Sequence, residues 1–165
     1  MLFSYNSTYR PLTITITDYQ IASIVFGEKH CHTCDREDLM AVDTNKTNEV
    51  NLMRKIQQQL DGYFAGKLKV FDLPLQYTGT PFQMKVWKYL RSIPYGQTVS
   101  YQAVAKAIGH PKSARAVGTA CKRNPIPIII PCHRIISATG AIGEYAGGKK
   151  WKEKLLKLEK SMFSS

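Results

Sequence analysis

Apolar and polar residues alternate strictly through Leu12, Thr13, Ile14, Thr15, Ile16 and Thr17, the period-two pattern of a half-buried strand. Ile21 to Phe26 predicts a second strand, with Asp18-Tyr19-Gln20 as the turn between them and Gly27 as the stop. Residues 28–48 are polar and carry neither period. Leu52, Met53, Ile56, Leu60, Tyr63 and Phe64 then recur at helical spacing, and Gly66 ends that helix. Lys69 to Tyr77 reads as extended, broken by Pro74. Residues 1–78 are therefore expected to form a small α+β domain, and nothing in them points to a reactive site.

The pattern changes near Gly79. Thr80-Pro81-Phe82-Gln83 is a helix start, with Thr80 as N-cap, Pro81 at the first helical position and Gln83 closing a capping box. Val86, Trp87 and Leu90 form the buried face of that helix, and Pro94-Tyr95-Gly96 makes a turn. Ser100 caps a short helix, Tyr101 to Ile108, which Gly109-His110-Pro111 breaks. A slim helix from Ser113 to Arg123 follows, with Ala114, Ala116, Gly118, Thr119 and Ala120 along it. Two short helices joined by a glycine-containing turn match a helix-turn-helix, whose second helix enters a DNA groove; a pair of core helices would look similar. A last helix from Lys149 to Lys160 buries Trp151, Leu155 and Leu158 and is expected to expose a row of lysines. Residues 79–165 thus read as a mainly helical domain, and the whole as an α+β chain of two domains.

Charge sharpens the division. The 165 residues carry a formal charge of +11, and residues 85–165 hold the whole excess, with 15 Lys/Arg and only three acids, Glu144, Glu153 and Glu159. A positive field confined to one half suits a polyanion, most simply nucleic acid. Four cysteines do not make a disulfide framework, and no apolar run approaches the roughly 20 residues needed to span a bilayer. The N-terminus lacks the basic-then-apolar order of a signal peptide. A reducing compartment, the cytoplasm or a nucleus, is the expectation, with no membrane partner and no cofactor.

The chemistry concentrates at Pro131-Cys132-His133-Arg134, which closes the run Asn124-Pro-Ile-Pro-Ile-Ile-Ile-Pro131. Three prolines remove amide donors and fix φ, so this stretch reads as a rigid shelf that aims one side chain. Imidazole and guanidinium beside a cysteine favour the thiolate, which is the nucleophile. The plain alternative is a structural core cysteine beside a solvated pair. A regulator needs no activated thiol, and a cysteine protease needs no DNA-reading helix, whereas chemistry on DNA needs both. A base inside a duplex is out of reach, so such an enzyme must extrude its nucleotide and fill the gap. Arg115, flanked by Ala114 and Ala116, has the planar head and slim neighbours for that task; a phosphate contact is its other reading.

Residues 80–159 resemble the methylated-DNA–protein-cysteine methyltransferases, the O6-alkylguanine-DNA alkyltransferases. The matching stretches are Gly79-Thr-Pro-Phe-Gln83, Ile93-Pro-Tyr-Gly96, Ser100-Tyr101, Ala114-Arg-Ala-Val-Gly118, Asn124-Pro-Ile-Pro127, Ile130-Pro-Cys-His-Arg134, Gly143 with Tyr145, Gly147-Gly148, and Lys152 to Glu159. The N-terminal half matches in general build, which in that family is a ribonuclease-H-like α+β domain. The resemblance implies irreversible transfer of an alkyl group from guanine O6, and from O4-methylthymine, in double-stranded DNA to Cys132. It implies His133 as a base acting through water, since neighbours in extended backbone point apart. Glu159 would orient that imidazole, and Tyr101 would protonate the departing guanine. Ala114, Arg115, Gly118 and Arg134 would serve DNA or substrate binding, Asn124 would hold the shelf, and Tyr145 and Ala146 would line the pocket. The protein would act as a monomer.

Two features stand apart. Ala146 occupies a position where several family members carry serine, so a hydroxyl contact to O6 is missing and the tolerance of bulky O6 groups is open. His30-Cys31-His32-Thr33-Cys34 has zinc-ligand residue types, but no second ligand pair follows at suitable spacing. Cys31 and Cys34 are thus weak metal candidates, and a polar loop is the simpler reading. Two other functions remain open at this level: a non-enzymatic alkylguanine-binding protein, and a helix-turn-helix regulator with a sensor cysteine.

Overall fold

A computed structural model describes residues 1–7, 11–27 and 44–161. The chain divides into two compact units, Met1–Tyr77 and Thr78–Ser165. In the first, strands β1 (Leu2–Asn6), β2 (Pro11–Thr17) and β3 (Gln20–Phe26) form an antiparallel sheet in that order. Asp18 and Tyr19, at φ 48° and 57°, turn β2 into β3, with Thr17 paired to Gln20. Two residues at positive φ match the right-handed twist of a tight hairpin, so Gln20 belongs to the strand rather than the turn. β1 was not visible in the periodicity: Leu2-Phe-Ser-Tyr-Asn alternates weakly, and pairing with β2 decides its conformation.

Helix α1 (Thr44–Phe64) starts before the apolar stripe does, and its Ile56, Leu60 and Tyr63 are fully buried with Leu12, Ile14 and Ile16 of β2. The extended segment after it contributes one parallel bridge, Ile21 to Leu75, with bonds of 2.9 Å on either side. Thr13 is buried in this unit, and its hydroxyl donates to the Gly27 carbonyl at 2.8 Å. The His30–Cys34 segment, including Cys31 and Cys34, lies outside the described residues; among those described, no cluster of three metal-ligand side chains occurs.

The second unit contains α2 (Pro81–Arg91), β4 (Val99–Ser100), α3 (Tyr101–Ala107), α4 (Ala114–Lys122), β5 (Ile135–Ile136) and α5 (Lys149–Ser161). The capping box on α2 forms as expected: Thr80 Oγ1 accepts from the Gln83 amide at 3.3 Å, and Gln83 Oε1 accepts from the Thr80 amide at 2.9 Å. Ser100 Oγ caps α3 through the Ala103 amide at 3.1 Å, whereas Ser113 makes no side-chain cap on α4. Trp87 ties α2 to α4, its indole N–H donating to the Ala120 carbonyl at 2.9 Å. The parallel two-residue ladder of β4 and β5 pairs Val99 with Ile135 and Ser100 with Ile136, which sets the start of α3 beside the Cys132 segment. Among the described residues no helix is long and apolar enough to cross a membrane.

Candidate active site

Asn124 leaves the end of α4 and organises the shelf from inside. Its Oδ1 accepts from the Ile126 amide at 3.0 Å, while its Nδ2 donates to the Ile130 carbonyl at 2.7 Å and to Cys132 Sγ at 3.1 Å. The loop between is closed by Ile130 N–H to the Ile126 carbonyl at 2.9 Å and forces Ile128 to φ 76°. Positive φ in a β-branched residue is strained, and such strain persists where the surroundings over-determine it. Here the anchors are Asn124 and the prolines on either side.

Cys132, His133 and Arg134 then form one turn of 3₁₀ helix at the end of the shelf, not the extended backbone expected for Cys132 and His133. Successive side chains on such a turn step by about 120°, so they fan out around the turn. Cys132 faces Asn124, while His133 and Arg134 both reach Glu159 on α5. His133 Nε2 lies 2.7 Å from Glu159 Oε1, and Arg134 donates from Nε to Oε2 at 2.9 Å and from Nη2 to Oε1 at 3.0 Å. The Gly96 amide adds a fourth bond, to Oε2 at 2.9 Å. Arg134 is 6% exposed, and its Nη1 donates to the Ile93 carbonyl at 2.6 Å. Its hydrogen bonds point into the protein, so it clamps Glu159 rather than presenting itself to DNA.

The electrostatics follow from this wiring. Burial opposes ionisation of Glu159, but the bonds and charges of His133 and Arg134 outweigh it and hold the carboxyl well below its usual range. Burial lowers the pKa of His133 and outweighs the pull of Glu159, so the imidazole is neutral. With Nε2–H donating to the carboxylate, the basic lone pair sits on Nδ1. Cys132, 3% exposed, is pushed up to about 11 by burial, against the opposing effects of the Asn124 bond and the charge of Lys152. The sequence places His133 and Arg134 beside Cys132, but the imidazole is uncharged and the guanidinium is paired with Glu159, so neither offers the thiolate a free positive charge.

Tyr101 opens α3 and lies against the glycine loop. A Cβ on Gly143 would come within 2.7 Å of its hydroxyl, so the loop backbone rests directly on the phenol. Gly118 of α4 faces the same ring, where a Cβ would lie 3.7 Å from Cε1. Burial, with Cys121, Cys132 and Glu144 nearby, raises Tyr101 to about 12, so it is a proton donor at neutral pH. Tyr145 is buried with its ring 6.3 Å from that of His133, while Ala146 is exposed. On α4, Val117, Ala120 and Cys121 are buried, Ala114 is half-buried, and Arg115, Ala116 and Thr119 form an exposed, slim face.

Two family models match this chain: 6-O-methylguanine DNA methyltransferase, ribonuclease-like domain, over residues 3–77, and the DNA binding domain of the same enzymes over residues 81–161. The chain belongs to the O6-methylguanine DNA methyltransferase family. It is 56% identical over 135 residues to the methylated-DNA–protein-cysteine methyltransferase of Methanosarcina acetivorans, covering 82% of this chain and 86% of that one. It is 48% identical over 120 residues to the constitutive enzyme of Bacillus subtilis, covering 72% and 73%. The crystal structure of Mycobacterium tuberculosis OGT in complex with DNA superposes with a TM-score of 0.80 at 40% identity, over 96% of this chain and 91% of that one. The α+β architecture with a ribonuclease-like first domain is that of the family.

The sequence predicts a row of exposed lysines on α5, and Lys152 departs from it. It is 1% exposed. The signal was available in the spacing, because Lys152, Leu155, Leu156 and Glu159 fall at i, i+3, i+4 and i+7 and share the inward stripe of α5.

Proposed function

We propose that this protein repairs DNA by moving the methyl group of O6-methylguanine, and of O4-methylthymine, onto its own Cys132. The observation that carries the residue assignment is the buried pairing of Asn124 with Cys132 Sγ beside the Glu159–His133–Arg134 cluster, in the unit that also presents the slim face of α4.

A thiol with a pKa near 11 is ionised on the order of one part in ten thousand at neutral pH, so a base must take its proton as it reacts. His133 Nδ1 is that base, acting through a water, and Glu159 stabilises the imidazolium that forms. The sulfur attacks the methyl carbon in line with the breaking O6–C bond, whose electron pair passes into the guanine. Tyr101 donates a proton to the ring as that charge develops. Arg115 enters the stack in place of the extruded nucleotide, with Ala114 and Gly118 allowing close approach. The Gly143–Gly148 loop, with Tyr145 and Ala146, lines the pocket.

The thioether has no route back to a thiol within this site, so each chain acts once. The protein works as a monomer in the compartment that holds the DNA, cytoplasm or nucleus. Incubation with duplex carrying O6-[³H-methyl]guanine tests this reading. Label should move covalently to protein, with one methyl per chain under excess DNA. Label that stays on DNA despite binding would instead indicate a damage-binding protein.

A further inference from the structure

Residues 85–165 hold three acids against 15 Lys/Arg, and two of the three lie on α5. Glu159 is buried between His133 and Arg134, and Glu153 is half-buried. The third, Glu144, is exposed on the pocket loop and forms an ion pair with Lys122 of α4. The bond to Lys122 and its charge hold the Glu144 carboxyl below the usual range. Both chain neighbours of Glu144 are fixed in place. The Gly143 backbone rests on the Tyr101 hydroxyl, and Tyr145 is buried with its ring edge-on to that of His133. The pair therefore ties the wall of the pocket to the outer face of α4.

That face is the one offered to DNA. Arg115, Thr119 and Lys122 fall at i, i+4 and i+7, and all three are exposed. The side chains of Lys122 and Glu144 are 59% and 76% exposed, and an ion pair so open to water contributes little to the fold. A carboxylate on a surface that meets phosphates also opposes binding, because like charges brought together are unfavourable. Glu144 thus serves neither stability nor affinity well. An exposed pair has another property: it is cheap to break, and a phosphate is the anion that can replace the carboxylate on the lysine.

We propose that Glu144 is a positioning residue of the pocket loop: it latches the loop to α4 in the free protein, and a DNA phosphate takes its place on Lys122 when duplex docks. This rests on the α4 face meeting DNA, as the repair reading requires. The exchange swaps one anion for another at the same ammonium, so Lys122 has a counter-charge in both states. What changes is the loop. Its contacts through Gly143 and Tyr145 remain, while the tie to α4 is released at the moment the extruded nucleotide needs the pocket.

Two measurements test the exchange. The first is the affinity for undamaged duplex of wild type, Lys122→Gln, Glu144→Gln and the double variant, at about 0.15 M salt, where charges more than about 8 Å apart are largely screened. Glu144→Gln should tighten binding about two- to fivefold while Lys122 is present, the worth of an exposed pair, and leave it nearly unchanged in the Lys122→Gln background. Lys122→Gln should also lower the slope of log affinity against log salt by about 0.9, one phosphate contact. Equal tightening in both backgrounds would mark general charge repulsion and overturn the proposal, as would a slope that Lys122→Gln leaves unchanged.

The second reads the loop itself in the free protein, by amide hydrogen exchange of the peptide that spans residues 140–148. Each single variant should speed exchange there by about the same two- to fivefold, and the double variant should be no faster than either. Exchange as slow as wild type in both single variants would overturn the latch. Methyl transfer from O6-methylguanine duplex, run on the same proteins, keeps the two readings apart. Absence of transfer to wild-type Cys132 would remove the repair reading, while affinity and exchange still decide the latch.

Discussion

The two units of this protein solve the folding problem differently. Among the described residues, the first buries Leu12, Ile14, Ile16, Ile56, Leu60 and Tyr63 and, of side chains classed as polar or charged, Thr13. Its ion pair, Lys55–Asp72, is solvent-exposed. The second buries Asn124, His133, Arg134, Lys152 and Glu159. Buried charges cost desolvation energy that apolar residues of similar size avoid, so they are poor devices for stability. Where they gather around a cysteine in a strained loop, they mark chemistry. The contrast says that the first unit is built for packing and that the second gives up part of its stability to hold a reaction site.

That contrast can be broken by mutation, and the largest effect belongs to Glu159. Glu159→Gln leaves Arg134 buried without its counter-charge and should destabilise the second unit by about 3–5 kcal/mol. Both tryptophans of the chain, Trp87 and Trp151, are buried in that unit, so denaturation followed by tryptophan fluorescence reads it directly. A stability within a few tenths of a kcal/mol of wild type would mean that the cluster is not held as described.

In the first unit the corresponding test is a cavity. Leu60→Ala should cost about 2–5 kcal/mol, as for other buried leucines, and should leave the initial rate of methyl transfer by the folded protein unchanged. A transfer rate that fell in parallel would show that the first unit contributes to the chemistry.

Arg115→Ala should have an intermediate effect. Extrusion costs a few kcal/mol, so loss of the residue that fills the gap should slow repair of duplex about tenfold or more while sparing reaction with free O6-methylguanine base. Equal deficits on both substrates would assign Arg115 to the fold or the chemistry.

The gentlest test is pH. His133 is neutral when folded, its pKa below the ordinary 6.5. The unfolded chain therefore binds that proton first, and the stability of the second unit should begin to fall as pH drops below about 6.5. Glu159, also depressed, contributes with the same sign, its stabilisation present above about 4.3 and lost as pH falls further. A second unit whose stability is flat from pH 7 to 5 would contradict a neutral, buried imidazole.

Most of the fold was readable because local signals agreed with tertiary contacts. The Thr-Ile alternation of β2, the Thr80–Gln83 capping box and the Ser100 cap each form as their residues specify. β1, β4 and β5 were not readable, since strands of two to five residues depend on their partners rather than on their own pattern. At the site, Pro-Cys-His-Arg named the residues but not their wiring. Adjacency in sequence suggests that His133 and Arg134 lend positive charge to Cys132, yet a 3₁₀ turn sends both to a glutamate 25 or 26 residues away. Lys152, whose burial no local signal announced as chemistry, lies 20 positions further on, in a helix whose other lysines are exposed. Local sequence records which chemistry is present, and packing decides which groups share it.

The central claim is that Cys132 is the one atom site to which the methyl group goes, once per molecule. Intact and peptide mass spectrometry after incubation with excess O6-methylguanine duplex tests it most directly. The account predicts a single added methyl, about 14 Da by elementary mass balance, carried entirely on the Cys132 peptide and absent from Cys132→Ala, which should still bind the duplex through the intact face of α4. Methyl on Cys121, Cys31 or Cys34, or continued release of repaired DNA beyond one equivalent, would contradict it.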